Sequence, residues 1–159
     1  MSDQTASTIF NIVLIKPEIP HNTGAIGRLC VGLGCRLHLI RPLGFHLSNE
    51  YIQRAGLDYW EHLDLQLHDS WSDFVKTTEP RNLFFFSTKG SQSLYQCKFA
   101  AGDTLIFGSE SRGFPEEIYM QFQNSLYTIP MPGQHARSIN LANSVAIAAY
   151  EALRQIALN

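Results

Sequence analysis

Apolar and polar positions along this chain fall into short blocks that alternate between two spacings. Ile9–Lys16 (IFNIVLIK) is a β-branched apolar run ended by Pro17, which predicts a buried strand. From Pro20 to Gly34 the pattern predicts a loop turning into a helix, with Ile26, Leu29, Cys30 and Leu33 on one face. Arg36–Ile40 reads as a second strand closed by Arg41-Pro42. Ser48 is placed to cap a short helix to Ala55, Tyr59–Leu67 reads as a strand, and Asp69 or Ser70 opens a helix to about Thr77. Asn82–Ser87 (NLFFFS), Thr104–Gly108 (TLIFG) and Leu126–Ile129 read as further strands. Pro115 suits a first helical position ahead of Glu116 and Glu117, and a last helix is predicted from about Asn140 to Ala157. Strands alternating with helices predict an α/β fold, a mostly parallel sheet with helices on both faces.

Composition narrows the class. The 159 residues are 45% apolar and 16% charged, a globular balance that suits one domain, 1–159, with a flexible polar start over Met1–Thr8 that is no signal peptide. Nothing is long and apolar enough to span a membrane, so no membrane partner is expected. The net charge of −2 is unlike a strongly basic nucleic-acid binder, so phosphate contacts would need locally gathered cations. Cys30, Cys35 and Cys97 are odd in number and lack metal spacing, which predicts reduced thiols in the cytoplasm and neither disulfides nor a metal site. The six histidines are scattered and read as surface or satisfied core residues; His21 and His135 stand out because they fall in unusual loops.

Three loops that follow strands carry the chemistry, where open α/β sheets bind ligands. Pro17–Arg28 (PEIPHNTGAIGR) holds Asn22, Thr23 and Gly24, which suit a helix cap, with Arg28 a turn further in. Gly108–Pro115 (GSESRGFP) has two glycines, and its Glu110 and Arg112 are spaced to pair with each other. Ile129–Asn140 runs from a strand through Arg137, Ser138 and Asn140 into a small-residue helix; Ser138 and Asn140 suit both a helix cap and a ligand contact. Neither a dinucleotide fingerprint nor a P-loop is present, and no serine has the partners of a nucleophile elbow, so NAD, ATP and acyl-transfer chemistry are disfavoured.

In order, P-E-I-P-H-N-T-G-A-I-G-R, I-F-G-S-E-S-R-G-F-P and I-P-M-P-G-Q-H-A-R-S-I-N-L-A-N-S-V-A resemble the motifs of the TrmH-like branch of the SPOUT RNA methyltransferases. The absence of an appended domain and the R-A-G-L-D-Y-W run at Arg54–Trp60 resemble its YibK/TrmL family, the tRNA (cytidine/uridine-34-2′-O)-methyltransferases. Ala25, Ser109 and Ile139 with Ala142 differ from the commoner residues at those motif positions.

The resemblance implies a C-terminal trefoil knot, a homodimer, S-adenosylmethionine as cofactor without a metal, and the tRNA anticodon stem-loop as partner. It implies Arg28, Glu110, Ser138 and Asn140 as catalytic residues. It places the cofactor against Phe86, Ser87, Thr88, Gly108, Ile129 and Met131, largely through their backbone, with Glu110, Gly113, Ser138 and Asn143 completing the pocket. Arg28 would clamp a phosphate and orient the 2′-hydroxyl, since a guanidinium is a poor base. Lys89, Arg112 and Arg137 would join it in a positive patch for RNA. The alternatives are 2′-O-methylation at another tRNA or ribosomal RNA site and a non-catalytic RNA-binding module.

Overall fold

A computed structural model describes residues 8–48, 50, 52, 54 and 58–158. Seven strands form one sheet: β1 (Asn11–Ile15), β2 (Arg36–Ile40), β3 (Leu65–His68), β4 (Arg81–Phe86), β5 (Gln92–Ser93), β6 (Asp103–Phe107) and β7 (Leu126–Thr128). Their order is β3-β2-β1-β6-β4-β7-β5, and every ladder is parallel. They are accompanied by the helices α1 (Pro20–Leu33), α2 (Trp71–Thr78), α3 (Glu116–Gln121) and α4 (Leu141–Ala157).

Alternation along each strand sorts the core into two layers, because successive side chains point to opposite faces. Ile12 and Leu14 of β1 pack with Ile26 and Cys30 of α1 and with Val145, Ala148, Ala149 and Ala152 of α4. Val13 and Ile15 pack on the other face with Phe74 of α2 and Ile118 of α3. The small residues of α4 let it lie close against α1. The parallel α/β architecture expected from the sequence is therefore the one observed.

Several local expectations shift. Helix α1 begins directly at Pro20, whose missing N–H suits a first turn, so the anticipated loop is shorter. Tyr59–Leu67 is not one strand: a 3-10 turn occupies Trp60–His62 and only Leu65–His68 pairs. Pro115 is the N-cap of α3 and not its first helical residue. The two-residue β5 edge strand is too short to leave a pattern. Ser70 caps α2, accepting from Asp73 N at 3.0 Å. Glu50, Ile52 and Arg54 are helical, while Asn49, Tyr51, Gln53 and Ala55–Leu57 of the 48–55 helix and the Arg54–Trp60 run lie outside the described residues, as does 1–7 of the polar start.

Cys30, Cys35 and Cys97 are buried free thiols, and burial pushes Cys35 and Cys97 up to about 12. His38 and His68 form a buried pair, Nδ1 to Nε2 at 3.0 Å, with His38 Nε2 3.1 Å from Asn11 Oδ1. Phe74 packs edge-on against both rings. Burial, then the neighbouring His68, pushes His38 down to about 4, so it is a neutral core residue.

Candidate functional site

From β1 the chain crosses to β2 on one side, and from β6 it crosses over β4 to β7 on the other, so the sheet has a switch point at β1–β6. A cleft of about 640 Å³ lies beyond the carboxyl ends of the strands next to it. Its walls are Ile19 and Asn22 after β1, Phe86–Lys89 at the end of β4, Phe107–Gly113 at the end of β6, Tyr119 of α3, and residues between Thr128 of β7 and Ser144 of α4. The volume suits a nucleoside-sized ligand.

The loop after β6 is closed on itself. Ser109 and Gly113 exchange backbone hydrogen bonds of 3.0 and 2.9 Å, and Gly113 turns with φ 67°. Gly108 has no space for a side chain, since a Cβ would stand 2.3 Å from the carbonyl carbon of Gly113. From this staple Glu110 reaches the entry to α1. Its Oε2 accepts from Glu18 N at 2.7 Å and its Oε1 from Ile19 N at 3.1 Å. Helix α1 has no side-chain cap of its own, so a carboxylate from a distant loop satisfies amides at its start and meets its positive end. Ser111 returns the contact, donating to Glu18 Oε1 at 2.6 Å, and that bond holds the Glu18 carboxyl below its usual range. The pairing of Glu110 with Arg112 suggested by their spacing is replaced by this clasp.

Asn22 joins the third loop to the clasp. Its Nδ2 donates to Glu110 Oε1 at 3.4 Å, and its Oδ1 accepts from Asn140 Nδ2 at 3.0 Å. Asn140 is the N-cap of α4, its Oδ1 accepting from Asn143 N at 3.2 Å. Asn140 is thus both a cap and a cross-link, while Ser138 lines the cleft and caps nothing. Asn22 caps no helix end; it is the hub of the Glu110–Asn22–Asn140 chain.

On the side of β4, Ser87 Oγ lies 3.2 Å from Tyr119 Oη, which also accepts from Phe114 N at 3.3 Å. The Lys89 ammonium stands 4.6 Å above the Tyr119 ring centroid. Gly90 brings the loop against β7, where a Cβ would come within 2.4 Å of the Tyr127 carbonyl carbon.

The structure gathers most of the expected residues. Phe86, Ser87, Thr88, Gly108, Glu110 and Gly113 line the cleft from one side, and Ile129, Met131, Ser138 and Asn140 from the other. Lys89, Arg112 and Arg137 lie on its rim. Asn143 is not among the lining residues; its backbone N–H serves the Asn140 cap. Arg28 is also apart from the cleft: it is exposed, with its guanidinium carbon 4.7 Å from the Tyr59 ring centroid. His21 and His135 are exposed and line no part of it. The residues that sequence reasoning passed over as site residues are Asn22, read as a cap, and Tyr119, which carries no motif signal.

The model of the SpoU rRNA Methylase family matches residues 9–150. The chain is 47% identical over 150 residues to the tRNA (cytidine(34)-2′-O)-methyltransferase of Saccharophagus degradans, covering 93% of this chain and 96% of that one. A solved structure described as giving insight into 2-OH methylation of C/U34 on tRNA superposes with a TM-score of 0.87 at 52% identity, over 92% of this chain and 95% of that one. The SpoU methyltransferase AviRb of Streptomyces viridochromogenes, solved with the cofactor AdoMet, is 22% identical with a TM-score of 0.81, over 95% of this chain and 62% of that one; it shares the fold.

Proposed function

The chain belongs to the SpoU rRNA Methylase family, and from that membership and the site we propose that it methylates the ribose 2′-hydroxyl of the wobble nucleotide, cytidine or uridine 34, in the tRNA anticodon loop. The observation that carries this reading is the near full-length match to a relative named for that reaction. A cleft walled by the three motif loops supports it.

The cofactor of the reading is S-adenosylmethionine, which supplies an activated sulfonium methyl group when bound. The cleft fits it. Its volume is in the nucleoside range, and close backbone approaches at Gly90 and Gly108 draw its loops together. Phe86–Thr88, Gly108, Ile129 and Met131 would hold the adenosine, with Ser138 offering a hydroxyl at the wall.

Glu110 has both oxygens engaged by Glu18 N, Ile19 N and Asn22, so it positions the loops and is not a free base. Asn140 positions Asn22 in the same way. Arg28 would clamp a backbone phosphate and orient the attacking hydroxyl. Its place outside the cleft of its own chain supports a homodimer in which it serves the second copy's cleft. The exposed stripe of His21, Ala25, Arg28 and Gly32 on α1 and the exposed Ile147 and Tyr150 on α4 support that face as the contact. The same reading takes 1–159 as a single domain in the cytoplasm, where the free thiols would stay reduced. It also takes the region around β7 as a trefoil knot, which the insertion of β7 between β4 and β5 supports.

Transfer of label from methyl-labelled S-adenosylmethionine to total tRNA tests the proposal. Label is expected in the tRNA fraction at a 2′-O-methylated nucleoside. Label confined to ribosomal RNA, or none in any RNA, would overturn it.

A further inference from the structure

A second groove, of about 610 Å³, opens beside the cleft and shares Lys89, Arg112 and Tyr119 with it. Its floor is apolar, built from Phe114 and Leu126, which are buried in the core layer under α3. At its lip Met120 keeps a large apolar side chain 68% exposed, the second most exposed large hydrophobic side chain among the described residues. Gln123 adds an amide that can donate and accept.

The groove is also built to hold a shape. The Tyr119 ring is fixed by its hydroxyl bonds to Ser87 and Phe114 and by the Lys89 ammonium above it. Two cations, Lys89 and Arg112, face one carboxylate, Glu116, among its lining residues. The groove lies on the sheet face of α2 and α3, opposite the α1–α4 face, so a dimer through the latter leaves it open.

An apolar slot with a soft, polarisable lip, one amide at its edge and cations where it meets the cleft matches an unstacked nucleotide: base in the slot, phosphate at the cations. Resting on the RNA-methyltransferase reading of the cleft, we propose that this groove docks the nucleotide next to the one being methylated. Its base lies against Met120 and Phe114, its edge meets Gln123, and its phosphate is held by Lys89 and Arg112. Continuity with the cleft and charge complementarity favour the RNA strand over any other occupant.

Met120→Ala removes the lip without changing charge and without touching the core. With S-adenosylhomocysteine saturating, its affinity for a labelled anticodon stem-loop, read by fluorescence anisotropy, is expected to fall about fivefold. Its affinity for S-adenosylhomocysteine is expected to stay that of the wild type. A stem-loop with 4-thiouridine at the nucleotide beside the target should crosslink to the peptide containing residues 114–123. Gln123→Ala is expected to weaken binding in the same direction and supplies a second exposed test. Unchanged stem-loop affinity in both variants, or crosslinks that map elsewhere, would overturn the proposal. A wild-type chain that crosslinks through 114–123 but transfers no methyl group would sink the enzymatic reading and leave the groove standing, so the two failures are distinct.

Discussion

Glu110 is the point at which the three motif loops are most open to a quantitative test. Replacing it by Ala removes the acceptor of Glu18 N at 2.7 Å and of Ile19 N at 3.1 Å. The site is half-buried, so each bond is worth about 1 kcal/mol, below the range for fully buried charged pairs. Loss of the negative charge at the start of α1 adds about 0.5 kcal/mol. Glu110→Ala is therefore expected to destabilise the fold by about 2.5 kcal/mol, on the order of 5–10 °C in Tm for a chain of this size. Glu110→Gln keeps one acceptor oxygen and loses the charge, so it should cost about 1.5 kcal/mol. Urea unfolding at fixed protein concentration measures both, and calorimetry measures cofactor affinity alongside. The order wild type, Gln, Ala is expected in stability and in affinity, because the same loops wall the cleft. A Glu110→Ala protein within about 0.5 kcal/mol of wild type would refute the clasp as the element that holds them.

Three further outcomes follow from the same structure. His38 is held down at about 4 against an unfolded value near 6.5, so the unfolded chain takes up the proton first as pH falls. Stability should be full above pH 6.5 and decline by about 3 kcal/mol toward pH 4, a slope that His38→Gln should flatten in urea titrations. Gly108→Ala drives a methyl group against the Gly113 backbone at 2.3 Å and should cost about 3 kcal/mol by thermal unfolding, whereas Gly133→Ala, with nothing within 4 Å, should cost nothing. Arg28→Ala should lower kcat/KM for tRNA about 100-fold with cofactor affinity unchanged, and mixing it with a Ser138→Ala chain should restore part of the activity if Arg28 serves the partner's cleft.

The strands were legible wherever β-branched or aromatic runs were bounded by Pro or Gly, as at β1, β4 and β6. Tyr59–Leu67 misled because its aromatic and apolar residues pack from a 3-10 turn, where Trp60 lies against the bare face of Gly27, and propensity cannot tell that packing from a pleat. The motif loops were legible as a set, and the cleft draws lining residues from all three. What they could not show is which residue speaks to which across the fold. Glu110 and Arg112 are neighbours in sequence, yet Glu110 bonds to amides 91 and 92 positions away. Asn22 looked like a local cap because a cap is the nearest job for an asparagine at a helix start; its partners come from two other loops. Arg28 could be chosen by motif position, but its orientation toward Tyr59 and away from the cleft depends on the helix phase relative to the whole sheet.

The central claim is methyl transfer to the wobble ribose. Its most direct test is to incubate the purified chain with unmodified tRNA transcripts and S-adenosylmethionine, then map 2′-O-methylation by nuclease digestion and mass spectrometry. A single new 2′-O-methyl group at cytidine or uridine 34 is expected, formed about 100-fold more slowly when Arg28→Ala replaces the wild type. A methyl group at another nucleotide, or on a base in place of the ribose, would contradict it.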